Sequence, residues 1–272
     1  MPTAESILKK ALLPTHLGSA EIRAEIARDV RRRSLWTARC QQMDFLKAMR
    51  EGCAEFSSGR INNADFREKM RAVLDRLGYD PERGGWVDDP HNDGGPVTGI
   101  QSLRSARRLN LIADTQRTKA AGVARLKLQT PSVLADFPAD RLVRYETRVA
   151  ERDWGARWLN AAEAVDWEGV APGGREWVAL KGSPIWQALG DGAGGYTDGT
   201  GDALPPFAFN SGMDLDDVER DECVALGLNP DNAASEEASL WPNDLETENA
   251  REKFGDDFVD ELLAELEDES CG

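Results

Sequence analysis

The chain has 272 residues, long enough for one or two domains with a real core, and an apolar fraction of 40% that is below the roughly 45–50% of an average globular chain. Its net charge of -16 is unevenly spread: residues 1–160 hold 28 Lys/Arg against 21 Asp/Glu, whereas residues 161–272 hold 5 against 28. A basic half followed by an acidic half predicts partners of different sign. No run of 18 apolar residues occurs and the start lacks a signal-type apolar stretch, so neither a membrane span nor secretion is predicted.

Residues 19–78 read as a helical hairpin. Ser19 followed by Glu21, Ile22, Ile26 and Val30 gives a capped start, and Leu35, Trp36, Phe45, Leu46 and Met49 extend the apolar pattern to about Phe56. A turn at Ser57–Asn63 leads to a second helix capped by Asn63, with Phe66, Met70, Val73, Leu74 and Leu77 at spacings of three and four and Gly78 closing it. The stripe of Ile22, Ile26 and Phe66 is more apolar surface than two helices cover alone, which predicts burial against a partner chain.

Residues 79–99 are dense in turn formers (Asp80-Pro81, Gly84-Gly85, Asp89-Pro90, Gly94-Gly95-Pro96) and read as an exposed connection. Helix resumes over 100–129. Its polar face carries Arg104, Arg107 and Arg108, which together with Arg31, Arg32 and Arg33 form a basic face suited to non-specific contact with DNA phosphates.

The next stretch reads as a small α+β unit: a short helical turn at Ser132–Asp136, strands near Leu142–Val149 and Trp177–Leu180, a helix at Asn160–Val165, a Gly/Asp loop over 190–204 and an acidic helix from Leu215 to Leu226. Five tryptophans lie between Trp154 and Trp186, a density that predicts a packed aromatic core. The tract Asp191–Asp202 fails the calcium-loop pattern, with Tyr196 where glycine is needed and Asp202 where glutamate is. The carboxylates Asp216 and Asp217, like Glu151 and Asp153, read as solvated. The four cysteines form no Cys-x-x-Cys pair and the two histidines are scattered, so no disulfide framework, metal, cofactor or catalytic constellation is predicted and the chain does not read as an enzyme.

Residues 229–272 form an acidic tail. Phe254, Phe258, Leu262 and Leu266 recur every fourth residue and make one apolar face among carboxylates, which predicts a helix that docks in a groove on a partner. The architecture expected is mainly α with a small α+β unit: a helical arm over 1–90, a Trp-rich α+β domain over 91–228, and the acidic tail with one amphipathic helix.

One series of segments is more specific than composition. It runs Arg108-Leu109-Asn110-Leu111-Ile112-Ala113-Asp114-Thr115, Asp140-Arg141-Leu142-Val143-Arg144, Arg152-Asp153-Trp154-Gly155-Ala156-Arg157-Trp158, Val178-Ala179-Leu180-Lys181-Gly182-Ser183-Pro184-Ile185-Trp186, Leu204-Pro205-Pro206-Phe207-Ala208-Phe209-Asn210-Ser211-Gly212-Met213, then Val218-Glu219-Arg220-Asp221-Glu222 and Leu226-Gly227-Leu228. This order resembles the minor head proteins of tailed phages, the head-morphogenesis group related to the F protein of phage Mu, over roughly residues 15–228. The resemblance implies a virion structural protein made in the host cytoplasm, bound to portal, capsid or neck proteins, with self-association possible. It implies no catalytic residue. Many relatives of the Mu F type carry a C-terminal Cys/His cluster; here Phe207-Ala208-Phe209-Asn210 follows the prolines, and no metal ligands are implied.

Overall fold

The computed structural model describes residues 2–26, 28–86, 89, 95–148, 151–165, 176–234, 251 and 255–260. The chain is mainly helical with a small three-stranded sheet, and it divides into two compact units: Met1–Ala120 with Pro242–Gly272, and Ala121–Trp241. The division does not fall near residue 90, in the glycine-rich connection, but inside a long helix, and the end of the acidic tail belongs to the first unit.

The first unit begins with α1 (Pro2–Leu8), β1 (Ala11–Leu12), α2 (Ser19–Glu25), α3 (Arg28–Arg33) and β2 (Ser34–Leu35). The single helix expected from Ser19 to about Phe56 is thus broken twice. Ile26 adopts an extended conformation and ends α2. At the end of α3 the Ser34 hydroxyl donates to the Val30 carbonyl at 2.6 Å, which serves a last-turn acceptor and lets the chain leave as strand. β2 then pairs in parallel with β1, and Leu13 N donates to the Leu35 carbonyl at 3.1 Å. Tertiary pairing has overridden the helical spacing.

α4 (Met43–Ser57) and α5 (Asn63–Arg76) form the hairpin. The cap of α5 is Asn62, one residue before the one expected: its side chain accepts from Ala64 N and Asp65 N at 2.7 and 3.1 Å, and the Asp65 carboxylate accepts in turn from Asn62 N. Gly52 sets the approach of the two helices, because a Cβ there would lie 3.0 Å from Met70 Cε and 3.1 Å from Phe66. Phe45, Leu46, Met49, Phe66, Met70 and Leu74 are fully buried in the largest core cluster, which also takes Ile7 of α1. The connection after α5 is exposed at Glu82, Arg83, Pro96, Thr98 and Gly99, as expected, but its first part packs on the core; residues 87, 88 and 90–94 lie outside the described residues. Asp80 and Gly85 bridge, Tyr79 and Trp86 are buried edge to face at 5.0 Å, and the Tyr79 hydroxyl accepts from Leu103 N at 3.0 Å. The aromatic pair supplies the apolar area that the composition concealed.

α6 (Ala106–Lys127) leads into the second unit, followed by α7 (Pro131–Asp136), β3 (Ala139–Arg144), α8 (Trp154–Ala164), β4 (Val178–Leu180), α9 (Pro184–Asp191), β5 (Met213–Val218) and α10 (Arg220–Ala225). The sheet order is β4-β3-β5, antiparallel throughout. β5 corrects the acidic helix expected from Leu215. Met213 and Leu215 alternate with Asp214 and Asp216, and six residues of pairing with β3 settle the choice for strand; helix starts only after Glu219. On the sheet pack Trp154, Trp158, Trp186 and Phe207, with Trp158 and Trp186 edge to face at 5.5 Å and Trp186 stacked on Phe207 at 5.9 Å. The tryptophans therefore build a core, and Phe207 after Pro205-Pro206 is part of it. Trp167 lies outside the described residues.

Candidate functional site

β3 is the central strand, and Asp140 on it faces Ala179 on one side and Asp217 on the other. Two carboxylates directly opposite on neighbouring strands repel, so the arrangement requires cations. Two are provided. Arg125, near the end of α6, approaches Asp140 and Asp217 with the same Nη2, 2.8 Å from each, and donates through Nη1 to the Leu215 carbonyl. Lys181, the residue after β4, donates to Asp217 at 2.6 Å and lies 3.8 Å from Asp140. The Lys181 side chain is only 1% exposed.

Burial sets the protonation of this cluster. It pushes the Asp140 carboxyl up to about 6, against the pull of Arg125 and Lys181. Asp217 is closer to solvent: burial pushes it up, but the hydrogen bonds from Lys181 and Arg125 outweigh that and hold it below the usual carboxylate range. Burial also raises Asp214. Arg125 is pushed down by burial and up, by more, by Asp140 and Asp217.

Beside the cluster lies a cavity of about 210 Å³. Arg125, Gln129, Asp140, Lys181 and Asp214 form its polar lining, and Leu126, Trp186, Leu204 and Leu215 its apolar walls. Gln129 is 9% exposed, and its side-chain Oε1 is buried with no hydrogen-bond partner. This is a small pocket with a mixed polar and apolar lining.

A second cluster occupies the glycine-rich tract. Arg157 Nη2 lies 2.9 and 3.0 Å from the two oxygens of Asp198, Arg152 Nε is 3.0 Å from the same carboxylate, and the Arg157 guanidinium sits 3.9 Å above the Tyr196 ring. Asp198 is thus committed to two guanidiniums, and no group of three or more His, Cys, Asp or Glu suited to a metal occurs among the described residues. Asp153, weighed with Glu151 as a solvated carboxylate, caps α8 by accepting from Ala156 N at 2.9 Å.

The residues expected to face partners sit as follows. Ile22 and Ile26 are buried in a cluster with Ala11, Leu13, Val30, Phe258 and Val259, so Phe258 of the tail covers part of the stripe that was expected to await another chain. Phe66 is buried between α4 and α5, 6.1 Å from the Phe56 ring. Phe254, Leu262 and Leu266 lie outside the described residues.

Nor is the basic face a solvated one. Arg31, Arg32 and Arg33 are buried, and Arg31 Nε donates to the Ile26 carbonyl at 3.1 Å. Arg108 donates to Thr37 Oγ1 at 2.7 Å and to the Ala38 and Ile100 carbonyls at 2.9 Å, and Arg104 pairs with Asp75. Arg107 is the exposed member. Arginine stems covering apolar surface give the same sequence spacing as a phosphate-binding face.

Asp140 and Lys181 stand in the distinctive segments, but the sequence does not join them to Arg125 or Gln129. Asp140 and Asp217 become neighbours through strand register, and Arg125 and Lys181 reach them from the end of α6 and from after β4. Among the described residues no helix is long and apolar enough to cross a membrane. Comparison of the chain with protein-family models, with curated proteins and with solved structures finds no match.

Proposed function

We propose that the chain is a structural protein of a tailed-phage head, acting in head morphogenesis or the head–neck region by binding portal or capsid proteins. The reading rests on the ordered segments from Arg108 to Leu228 that resemble the minor head group. One observation carries it beyond sequence order: from Asp140 onward these segments supply β3, the tryptophans of α8 and α9, Lys181 and Phe207, which are interior parts of one unit.

The role is one of assembly, not catalysis. The carboxylates of the charged cluster are engaged by cations, and the arginines with the spacing of a phosphate-binding face are mostly held within the chain. Recognition of another protein is what a packed unit of this kind offers. The test is quantitative mass spectrometry of purified virions of a phage encoding the chain. The chain is expected in mature particles in low copy, and a multiple of six or twelve would place it on the portal axis. Its absence from both mature heads and assembly intermediates would overturn the reading.

A further inference from the structure

We infer that the segment carrying Phe258 and Val259 is an exchangeable plug: the surface it fills on its own chain, formed by Ala11, Leu13, Ile22 and Ile26, also takes the same segment from a second copy. The inference goes beyond the assembly role and does not rest on it, because plug and surface are both parts of the first unit.

The receiving surface is held together without the plug. Leu12 packs in the main core, while Ala11 and Leu13 on either side of it belong to the surface, so its floor is anchored from behind. Its backbone is tied by bonds that involve no residue of the tail. β1 pairs with β2, Leu13 N donates to the Leu35 carbonyl at 3.1 Å, and Thr15 N donates to the Cys40 carbonyl at 2.9 Å. Arg31 Nε holds the Ile26 carbonyl at 3.1 Å, where α2 ends. A surface organised in advance loses little freedom when a segment docks on it.

The plug is equally self-contained. Residues 256–260 are helical, and Gly255 N donates to the Arg251 carbonyl at 2.9 Å. Arg251 pairs with Asp256 at 3.1 Å and with Asp260 at 2.7 Å, so these ion pairs stiffen the segment and do not tie it to the surface. Asp256, Asp257 and Asp260 are exposed, whereas Phe258 and Val259 are 6% and 1% exposed. An aromatic and a β-branched side chain thus carry the burial, and every copy offers the same pair. The contacts made within a chain and between chains are identical, which is the condition for exchanging an element between protomers. Concentration then sets the balance. A tethered segment has an effective concentration on the order of 1 mM, so a dilute chain fills its own surface and copies held side by side exchange.

The test mixes two full-chain variants, neither of which can fill its own surface. The acceptor, Phe258→Asp with Val259→Asp, keeps the surface and lacks the plug. The donor, Ile22→Asp, keeps the plug and lacks the surface. The isoleucine methyl groups of the acceptor are followed by nuclear magnetic resonance. The Ile22 and Ile26 signals are expected to leave the positions they hold in the unmodified chain, and to return towards them as donor is added. The return should saturate with a dissociation constant of about 0.1–1 mM, as suits two buried side chains. A donor that also carries Phe258→Asp should produce no return. If the donor does not fold, a synthetic peptide of residues 251–272 takes its place. The inference is overturned by any of three results: an acceptor whose first unit loses its folded spectrum, since the surface would then need the plug in order to exist; no return up to about 2 mM donor; or an equal return with the Phe258→Asp donor. Because the test needs no virion, its failure condemns the exchange and leaves the particle copy number to judge the assembly role, and the reverse also holds.

Discussion

Two arginines on α6, one in each unit, are held in different ways. Arg108 gives its protons to a hydroxyl and two backbone carbonyls, and burial lowers its pKa. Arg125 gives its protons to two carboxylates and one carbonyl, and those carboxylates raise its pKa despite burial. The first arrangement fixes the loop before α4 without involving a group that titrates near neutral pH. The second ties strand register to the ionisation of Asp140. Sensitivity to pH is therefore a property of the second unit, and the two units are distinguishable by it.

The largest effect is expected on removing the buried cation. Lys181→Met leaves Asp140 and Asp217 facing each other with Arg125 alone between them, a loss of about 3–5 kcal/mol in urea unfolding at pH 7. The loss should shrink near pH 5, where Asp140 takes up a proton. Phe66→Ala in the first unit should cost a similar 3–5 kcal/mol or so through the cavity it leaves, with no such dependence on pH. If both variants respond to pH alike, the contrast between the units is wrong.

Asp140 itself sharpens the contrast. Its carboxyl titrates near 6 in the fold and near 4 unfolded, so between those values the folded chain binds more protons. From this group, stability falls as pH rises from about 4 to about 6, by on the order of 3 kcal/mol, and is flat above. Asp217 acts with the opposite sign: its contribution is present above its ordinary value near 4 and lost as pH falls further. Thermal unfolding across pH 3–8 should therefore show a maximum between about 4 and 5 from this pair, and Asp140→Asn should remove the falling limb. The smallest effect belongs to Asn62→Ala, which removes the α5 cap and should cost about 1 kcal/mol at any pH.

What the sequence makes legible follows from the range of the interactions involved. α5 is legible because Phe66, Met70 and Leu74 repeat at helical spacing and a polar cap precedes them. The aromatic core is legible because tryptophan has few other uses at that density. β2 is not, since Leu35 fits a helical stripe as well as a strand, and only the distant Ala11–Leu12 pairing decides. β5 is misread for a related reason: Leu215, Val218 and Glu219–Glu222 suit a helix until β3 is placed beside them. The charged cluster is the extreme case. Asp140, Lys181 and Asp217 are single letters in separate segments, and no local pattern brings them within 4 Å.

Cys40 and Cys53 follow from the same first-unit core. Both are free and buried, and burial pushes each thiol up to about 12, so they should resist alkylation at pH 8 until the unit opens.

The cluster that joins Phe258 and Val259 to Ala11, Leu13, Ile22 and Ile26 bears on the order of events during synthesis. The whole of residues 121–241 is made between the two halves of the first unit. At about 5–20 residues per second, the ribosome leaves the early apolar surface uncovered for on the order of ten seconds or more while that stretch is translated. The second unit can complete its core in this interval; the first cannot. A nascent chain stalled before residue 250 should therefore be the more readily captured by chaperones through the surface of Ala11, Leu13, Ile22 and Ile26, and the segment that carries Phe258 and Val259 is the one that releases it.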